Sequence, residues 1–439
     1  MTARELALRV VRDVFPPPES RAPERTAQAS FDYHVRRSQL SERDRAFAAE
    51  LAYGAIKMRR TLDWYLEGFT ARDIPSIIRE ILRLAVNELV YTRADEHATV
   101  FESVNLAKRY THRGLANLVN AVLRSFLRER PVEPQRTAFE TDDDFIATRY
   151  SLPTWLVRQW RAVFAEELER ICAAVNDPPR SAVVVNSLKA TPEDVASQLS
   201  DAGVETRRSA IVPEVLLTER GLGSFPNNDG AWWMQSESSA MPVDVLGPQP
   251  DEAILDACSG RGNKALQIGA RLAGQGSLLC VERDARKTST LSRRLEQADI
   301  VAAIVTGDAT SDALLGDRRF DRVLIDAPCS GVGVVGRHPE ARWKKQGTDG
   351  ERLARTQRAL LEAMARHVYP GGALVYAVCS TDPRETVDVI DGFLARENFE
   401  RGLIPAAYEA LLTEDGDVLV PPGIDGRDGF FIARIERRS

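Results

Sequence analysis

The stretch "EAILDACSGRGNKALQIGARLAGQGSLLCVER", residues 252–283, changes pattern three times. A short apolar run ends on Asp256 and meets a glycine-bearing turn. An amphipathic segment follows over 265–274, and a second apolar run reaches Val281 and Glu282. Short apolar runs bounded by Gly read as buried strands, and the segment between them reads as a helix. The same alternation continues downstream. Residues 286–299 predict a helix, 302–309 and 322–328 predict strands, and 351–369 predicts a helix stopped by Pro370-Gly371-Gly372. Residues 373–380 predict another strand, and 417–422 with 429–437 predict a closing pair. Strands alternating with helices specify a mostly parallel sheet covered on both faces, so residues 241–439 are expected to form an α/β, Rossmann-like domain.

Upstream the period is helical. Ile78, Leu82, Ala85 and Leu89 share one helical face, as do Val100, Val104 and Ala107, and a further run starts after Gly114. Residues 1–130 therefore predict an all-α bundle of about six or seven helices. Residues 128–144, with two prolines and an acidic run, read as a linker. A helical stretch with Trp155 and Trp160 comes next. A strand at 181–189, a helix from Pro192 to Gly203 and a strand at 215–219 then predict a small α+β, βαβ-rich module over 145–240. Trp232 and Trp233 are read as core residues.

The 439 residues are 44% hydrophobic and 28% charged, enough apolar material for several cores. Net charge is −6 overall, yet residues 1–135 carry 22 Lys+Arg against 18 Asp+Glu. That local excess points mildly to a polyanionic partner. The five cysteines are widely spaced and form no Cys-x-x-Cys, which argues against a disulfide framework and against a metal site. No apolar stretch reaches 18 residues, and arginines interrupt the apolar N-terminal segment. A cytoplasmic, non-membrane protein is the expectation.

In an open α/β sheet, ligands collect beyond the C-terminal ends of the strands. There the chain places the glycine loop after Asp256, Glu282 positioned for a ribose diol, and Asp308 positioned for an adenine edge. Together they point to an adenosine-containing cofactor. Gly260-x-Gly262-x-x-Ala265 alone also fits a loose dinucleotide fingerprint, so a nicotinamide dehydrogenase is a second reading of the loop. That reading leaves two features unexplained. The strands ending at Asp326-Ala-Pro-Cys329-Ser-Gly and Val378-Cys379-Ser380 each deliver a thiol to the ligand side.

These two motifs resemble the signatures of the RNA methyltransferases that make 5-methylcytosine with S-adenosylmethionine. "RHPEARW" (337–343) and "DGFFIAR" (428–434) are similar to that family as well. "LSERDRAFAAELAYGAIKMRRTLDWYL" (40–66) and "LANLVNAVLR" (115–124) resemble the NusB-like RNA-binding domain of its RsmB-type, small-subunit rRNA members. The resemblance implies a NusB-like bundle, an RNA-contacting middle module and a class I methyltransferase domain. It implies action on 16S rRNA, free or in a subunit precursor, with the basic groups near Lys57–Arg60 and Lys108–Arg113 as candidate phosphate contacts; a monomer is the expectation. By the family's pattern Cys379, as a thiolate of lowered pKa, adds to carbon 6 of cytosine, and Cys329 serves product release. Asp326 would hydrogen-bond the N3/N4 edge of the base. Cys258, Ser259, Gly260, Arg261, Gly262, Asn263 and Lys264 would cradle the cofactor with Glu282, Asp308 and Asp326. The loop departs from the family's usual Cys-Ala-Ala-Pro-Gly-Gly-Lys-Thr, reading Cys258-Ser-Gly-Arg-Gly-Asn-Lys264-Ala265. Asn tolerates positive φ, so cofactor binding is expected to persist. The alternative is a non-catalytic RNA-binding or assembly factor that has lost the cofactor.

Overall fold

A computed structural model describes residues 1–17, 20, 24–70, 73–218 and 228–439. The chain divides into two compact units. One comprises residues 1–161 together with 338–345, and the other comprises 162–337 and 346–439.

The first unit is helical. Its elements are α1 (Ala3–Val14), α2 (Ala27–Val35), α3 (Glu42–Lys57), α4 (Arg59–Leu66), α5 (Ser76–Tyr91), α6 (Glu96–Tyr110), α7 (Arg113–Glu129) and α8 (Asp142–Arg149), with α9 (Thr154–Phe164) beginning in it. The apolar faces meet in a core that includes Leu6, Val10, Leu51, Ile56, Leu82 and Leu123. The expected linker over 128–144 is a linker only in part. Thr141 accepts a hydrogen bond from the Asp144 amide, and Asp142, Asp143 and Asp144 fill the first turn of α8. Carboxylates there favour the helix dipole, so the acidic run starts a helix. Residues 338–345 also belong to this unit. Arg342 is buried and donates to Ser151 O at 3.1 Å, and Trp343 Nε1 donates to Ile56 O at 2.7 Å.

Three of the expected phosphate contacts are used internally, Arg109 among them through its ion pair with Glu5. Arg59 pairs with Glu80 at 2.9 Å. Arg60 donates to Thr148 Oγ1 (2.9 Å), Leu152 O (3.0 Å) and Thr154 Oγ1 (2.8 Å), which ties α4 to α8 and the start of α9. Lys108 and Arg113, by contrast, are exposed.

The second unit begins with α10 (Leu168–Ala174) and a four-stranded sheet. The sheet holds β1 (Ser181–Val185), β2 (Thr206–Arg208), β3 (Val215–Thr218) and β4 (Trp232–Met234) in the order β2-β3-β1-β4. α11 (Pro192–Asp201) starts with a Thr191/Asp194 capping box. The expected βαβ arrangement is a split one: β1 and β2, joined by α11, both run antiparallel to β3 and so parallel to each other, with β3 between them. The strand expected at 215–219 is that intervening β3, antiparallel to β1. Glu219, at the end of the expected strand, lies outside the described residues. Trp232 and Trp233 are buried in β4, as expected.

α12 (Glu237–Leu246), a helix the alternation does not reveal, leads into the large sheet. That sheet is ordered β10-β12-β9-β8-β5-β6-β7, with β11 on β12. β5 (Ala253–Asp256), β6 (Ser277–Glu282), β7 (Ala303–Thr306), β8 (Phe320–Asp326) and β9 (Val368–Val378) run parallel. β10 (Phe399–Arg401), β11 (Val418–Val420) and β12 (Phe430–Arg437) close it antiparallel. α13 (Asn263–Arg271), α14 (Ala285–Gln297), α15 (Asp349–Ala365) and α16 (Val387–Leu394) complete the unit. Pro370-Gly371-Gly372 does not stop α15, which ends at Ala365. It lies inside β9, where the register with β8 shifts between Phe320 and Arg322. The order reverses between β5 and β8, which creates a crevice at their C-terminal ends. No described helix is long and apolar enough to cross a membrane.

Replacing Arg60 with Ala strips donors from three acceptors, in α8, in α9 and in the turn between them. We expect a loss of about 2 kcal/mol in urea unfolding. An unchanged midpoint would show that Arg60 is not a structural tie.

Candidate active site

The turn after β5 is held from both sides. Ser259 N donates to Val281 O at 2.9 Å, and Ser259 Oγ donates to Asp256 O at 2.9 Å. Gly262 adopts φ +93° at the head of α13, and a Cβ there would lie 2.4 Å from Leu291 Cδ1. Only glycine suits that place. The substituted loop residues have their own support. Arg294 of α14 donates to Arg261 O (2.8 Å) and to Asn263 Oδ1 (2.7 Å), so Asn263 is fixed by a partner from the next helix.

Glu282, at the end of β6, is pinned. Its Oε2 accepts from Gly260 N at 2.9 Å and its Oε1 from Asp284 N at 2.8 Å. Asp308, beyond β7, accepts from Thr310 N (2.9 Å) and Thr310 Oγ1 (2.7 Å), which lower its pKa. Asp326, at the end of β8, forms an ion pair with Lys264 Nζ at 2.6 Å. Lys264, itself buried, thus reaches from the cofactor-type loop to the motif that carries Cys329.

The two thiols lie next to each other, with Cys329 Sγ 3.2 Å from Cys379 Sγ. β8 and β9 are parallel neighbours with Asp326 opposite Ala377, and Ala327 N extends the pairing to Ala377 O at 2.9 Å. Beyond Cys329 the chain turns back, and Gly333 N donates to Cys379 O at 3.1 Å. The Cys329 thiol is pushed well up, first by its hydrogen bond to Cys379, then by burial and by nearby acids. Cys258 and Cys280 are also raised, chiefly by burial, which leaves them as inert thiols.

A cavity of about 860 Å³ opens over these strand ends. It is lined by Cys258, Gly260, Glu282, Asp308, Asp326, Cys329 and Cys379. An adjoining cavity of about 620 Å³ is lined by Ser259, Arg261, Asn263 and Lys264, and shares Cys258, Gly260 and Asp326 with the first. Gly262 lines neither cavity and shapes the turn instead. Two contributions escaped the sequence reading. Arg352, Arg355 and Thr356 of α15 line the larger cavity, and their only sequence signal is helical spacing within a charged segment. Asp256 lines the smaller one, fully buried, with neither carboxyl oxygen hydrogen-bonded among the described residues.

Comparison with known proteins decides the family. Residues 243–436 match the model of the 16S rRNA methyltransferase RsmB/F family. Residues 1–128 match the NusB family, and 152–222 match the RsmF/B-like ferredoxin-like domain. A "probable ribosomal RNA small subunit methyltransferase B" of Bacillus subtilis is 31% identical, over 92% of this chain and 93% of its own. The ribosomal RNA small subunit methyltransferase B of Serratia proteamaculans is 31% identical, over 90% and 91%.

The chain belongs to the ribosomal RNA small subunit methyltransferase B family. It is an RNA methyltransferase, and its methyl donor is S-adenosylmethionine. The dehydrogenase reading of the glycine loop falls away. The fold agrees. The crystal structure of PH0851 superposes with TM-score 0.81, covering 100% of this chain and 99% of that one at 24% identity. NSun6 from Pyrococcus horikoshii gives TM-score 0.58 over 65% of this chain and 98% of its own, at 19% identity.

Burial and the neighbouring Asp326 push Asp256 up to about 7. A carboxyl raised above its unfolded value holds its proton better in the native state. It therefore contributes stability that is full below about pH 4 and is lost as pH rises through 7. The loss amounts to at most about 4 kcal/mol. Asp256→Asn should flatten the fall in unfolding free energy between pH 5 and pH 8, read by urea titration. Equal slopes in variant and wild type would contradict the assignment.

Proposed function

We propose that this enzyme methylates carbon 5 of a cytosine in small-subunit rRNA through a covalent bond between Cys379 Sγ and carbon 6. The observation that carries the reading is the 3.2 Å approach of two thiols from neighbouring strand ends, inside the cavity that also holds Glu282 and Asp308. The residues present fit the cofactor. The pinned carboxylate of Glu282 suits a ribose diol, Asp308 suits the adenine end, and the unpartnered Asp256 carboxyl suits an ammonium group. When bound, S-adenosylmethionine supplies an electrophilic methyl group.

The chain's own groups then divide the work. Carbon 5 of cytosine is a poor nucleophile until a thiolate adds to carbon 6. Cys329, its thiol pushed up, holds its proton beside Cys379 Sγ at 3.2 Å. By the family's pattern Cys379, at the end of the second motif, is the thiol that bonds to the base. Asp326, oriented by Lys264, accepts from the exocyclic amino group at the N3/N4 edge and so holds the base for the addition, while the Lys264 ammonium beside it offsets negative charge. After methyl transfer the proton on carbon 5 leaves, the bond to Cys379 Sγ breaks, and Cys329 assists that release. The target base must leave its stack to enter such a cavity. Exposed Lys108 and Arg113 of the helical unit supply phosphate contacts that weaken with salt.

The test uses Cys379→Ala and Cys329→Ala with small-subunit rRNA and S-adenosylmethionine. Cys379→Ala should lose about a thousandfold or more of methyl transfer and form no denaturant-stable adduct. Cys329→Ala should accumulate the protein–RNA adduct. Methylation that survives in Cys379→Ala would overturn the assignment.

A further inference from the structure

Behind the two thiols, outside the cavity, lies a buried carboxylate that the chemistry above leaves unused. Glu385 follows β9, and nothing of it reaches solvent. Four donors converge on its side chain. Ser330 N donates to Oε1 at 2.9 Å, and Ser330 Oγ makes a short bond to Oε2. Ser380 Oγ donates to Oε2 at 2.7 Å, and Gln357 Nε2 of α15 donates to Oε1 at 3.0 Å. The same Gln357 amide reaches Pro328 O at 3.0 Å, and Tyr376 OH holds the Glu385 carbonyl at 2.7 Å.

Ser330 is the residue after Cys329, and Ser380 is the residue after Cys379. One carboxylate therefore grips the chain immediately beyond each thiol. Buried serine hydroxyls need an acceptor, and a carboxylate offers about four acceptor sites and no donor. An amide of the same shape would set a donor against hydroxyls that must themselves donate. The two hydroxyl oxygens lie 3.1 Å apart, almost the same spacing as the two sulfurs. The β8–β9 pairing ends with Ala327 N on Ala377 O and β9 finishes at Val378, so beyond the sheet the Glu385 side chain holds both thiol segments, alongside the Gly333 N bond to Cys379 O.

We infer that Glu385 is a positioning residue: by binding the serine after each cysteine it fixes the separation and aim of the Cys329 and Cys379 thiols. The inference deepens the two-thiol reading above. It also has a consequence that does not depend on catalysis, because two thiols held in contact are readily joined. The diazene oxidant diamide takes two hydrogen atoms from two thiols, so one S–S bond forms and the diazene is reduced to a hydrazine.

The experiment treats the full-length protein with diamide and follows the Cys329–Cys379 linkage by peptide mass mapping, in wild type, Glu385→Gln and Ser380→Ala. Circular dichroism and S-adenosylmethionine binding identify the folded variants. Linkage should form about tenfold more slowly in Glu385→Gln and less slowed in Ser380→Ala. Methyl transfer should lose at least about tenfold in kcat, with KM for S-adenosylmethionine and for rRNA within about twofold of wild type. If Glu385→Gln does not fold, Ser380→Ala carries the test. A folded variant that links its thiols at the wild-type rate overturns the inference. So does a loss confined to KM. If wild-type protein links its thiols rapidly but methylates no rRNA, the proposed function fails while the clamp stands.

Discussion

The parallel pairing of β8 with β9 sets Asp326 opposite Ala377, and most of the site follows from that register. β8 ends three residues before Cys329 and β9 one residue before Cys379, so neighbouring strand ends deliver both thiols to one place. A register slipped by one residue would turn every side chain of a strand to its other face, and both faces here are buried. Leu324, Val375 and Ala377 pack in one core cluster, while Val323, Ile325, Leu374, Tyr376 and Val378 pack in the other. The two cores therefore hold the register, and the register holds the chemistry.

Around that pair the sheet gathers negative charge. Asp256, Glu282, Asp308 and Asp326 all end strands or follow them closely, and burial intensifies their mutual repulsion. The structure offsets this in three ways. Lys264 pairs with Asp326, backbone amides hold Glu282 and Asp308, and Asp256 retains a proton into the neutral range. The altered glycine loop is held in this arrangement by Arg294, which grips two of its unusual positions, Arg261 and Asn263. Where the family's usual loop has glycine, Asn263 has instead acquired a side-chain partner.

The parts of the fold legible in the sequence are those with strong periodic patterns. β5, β6, β8 and β9 are apolar runs bounded by turn residues, and the N-terminal helices carry long amphipathic faces. Short elements were less visible. β2 and β4 have three residues each, too few for a period, so the middle sheet's antiparallel pairing could not be read locally. Pro370-Gly371-Gly372 has the composition of a helix stop, yet tertiary pairing draws it into β9. Residues 338–345 lie between two strands in sequence and pack with the helical unit, a long-range choice that no local pattern encodes. In the site, acids and thiols at strand ends were legible because their spacing marks them. Glu385, Arg294 and the arginines of α15 were not, because their roles arise only from what the fold brings beside them. The serine after each cysteine was visible, but its acceptor was not.

The most direct measurement of the central claim uses wild-type protein and rRNA carrying 5-fluorocytosine. Fluorine on carbon 5 cannot depart as a proton does, so the enzyme should stall after methyl transfer with its thiol still bonded to carbon 6. Digestion and mass spectrometry then locate the bond. The account predicts a methylated nucleotide attached to the peptide containing Cys379. Attachment to the Cys329 peptide, or methyl transfer without any covalent peptide, would contradict it.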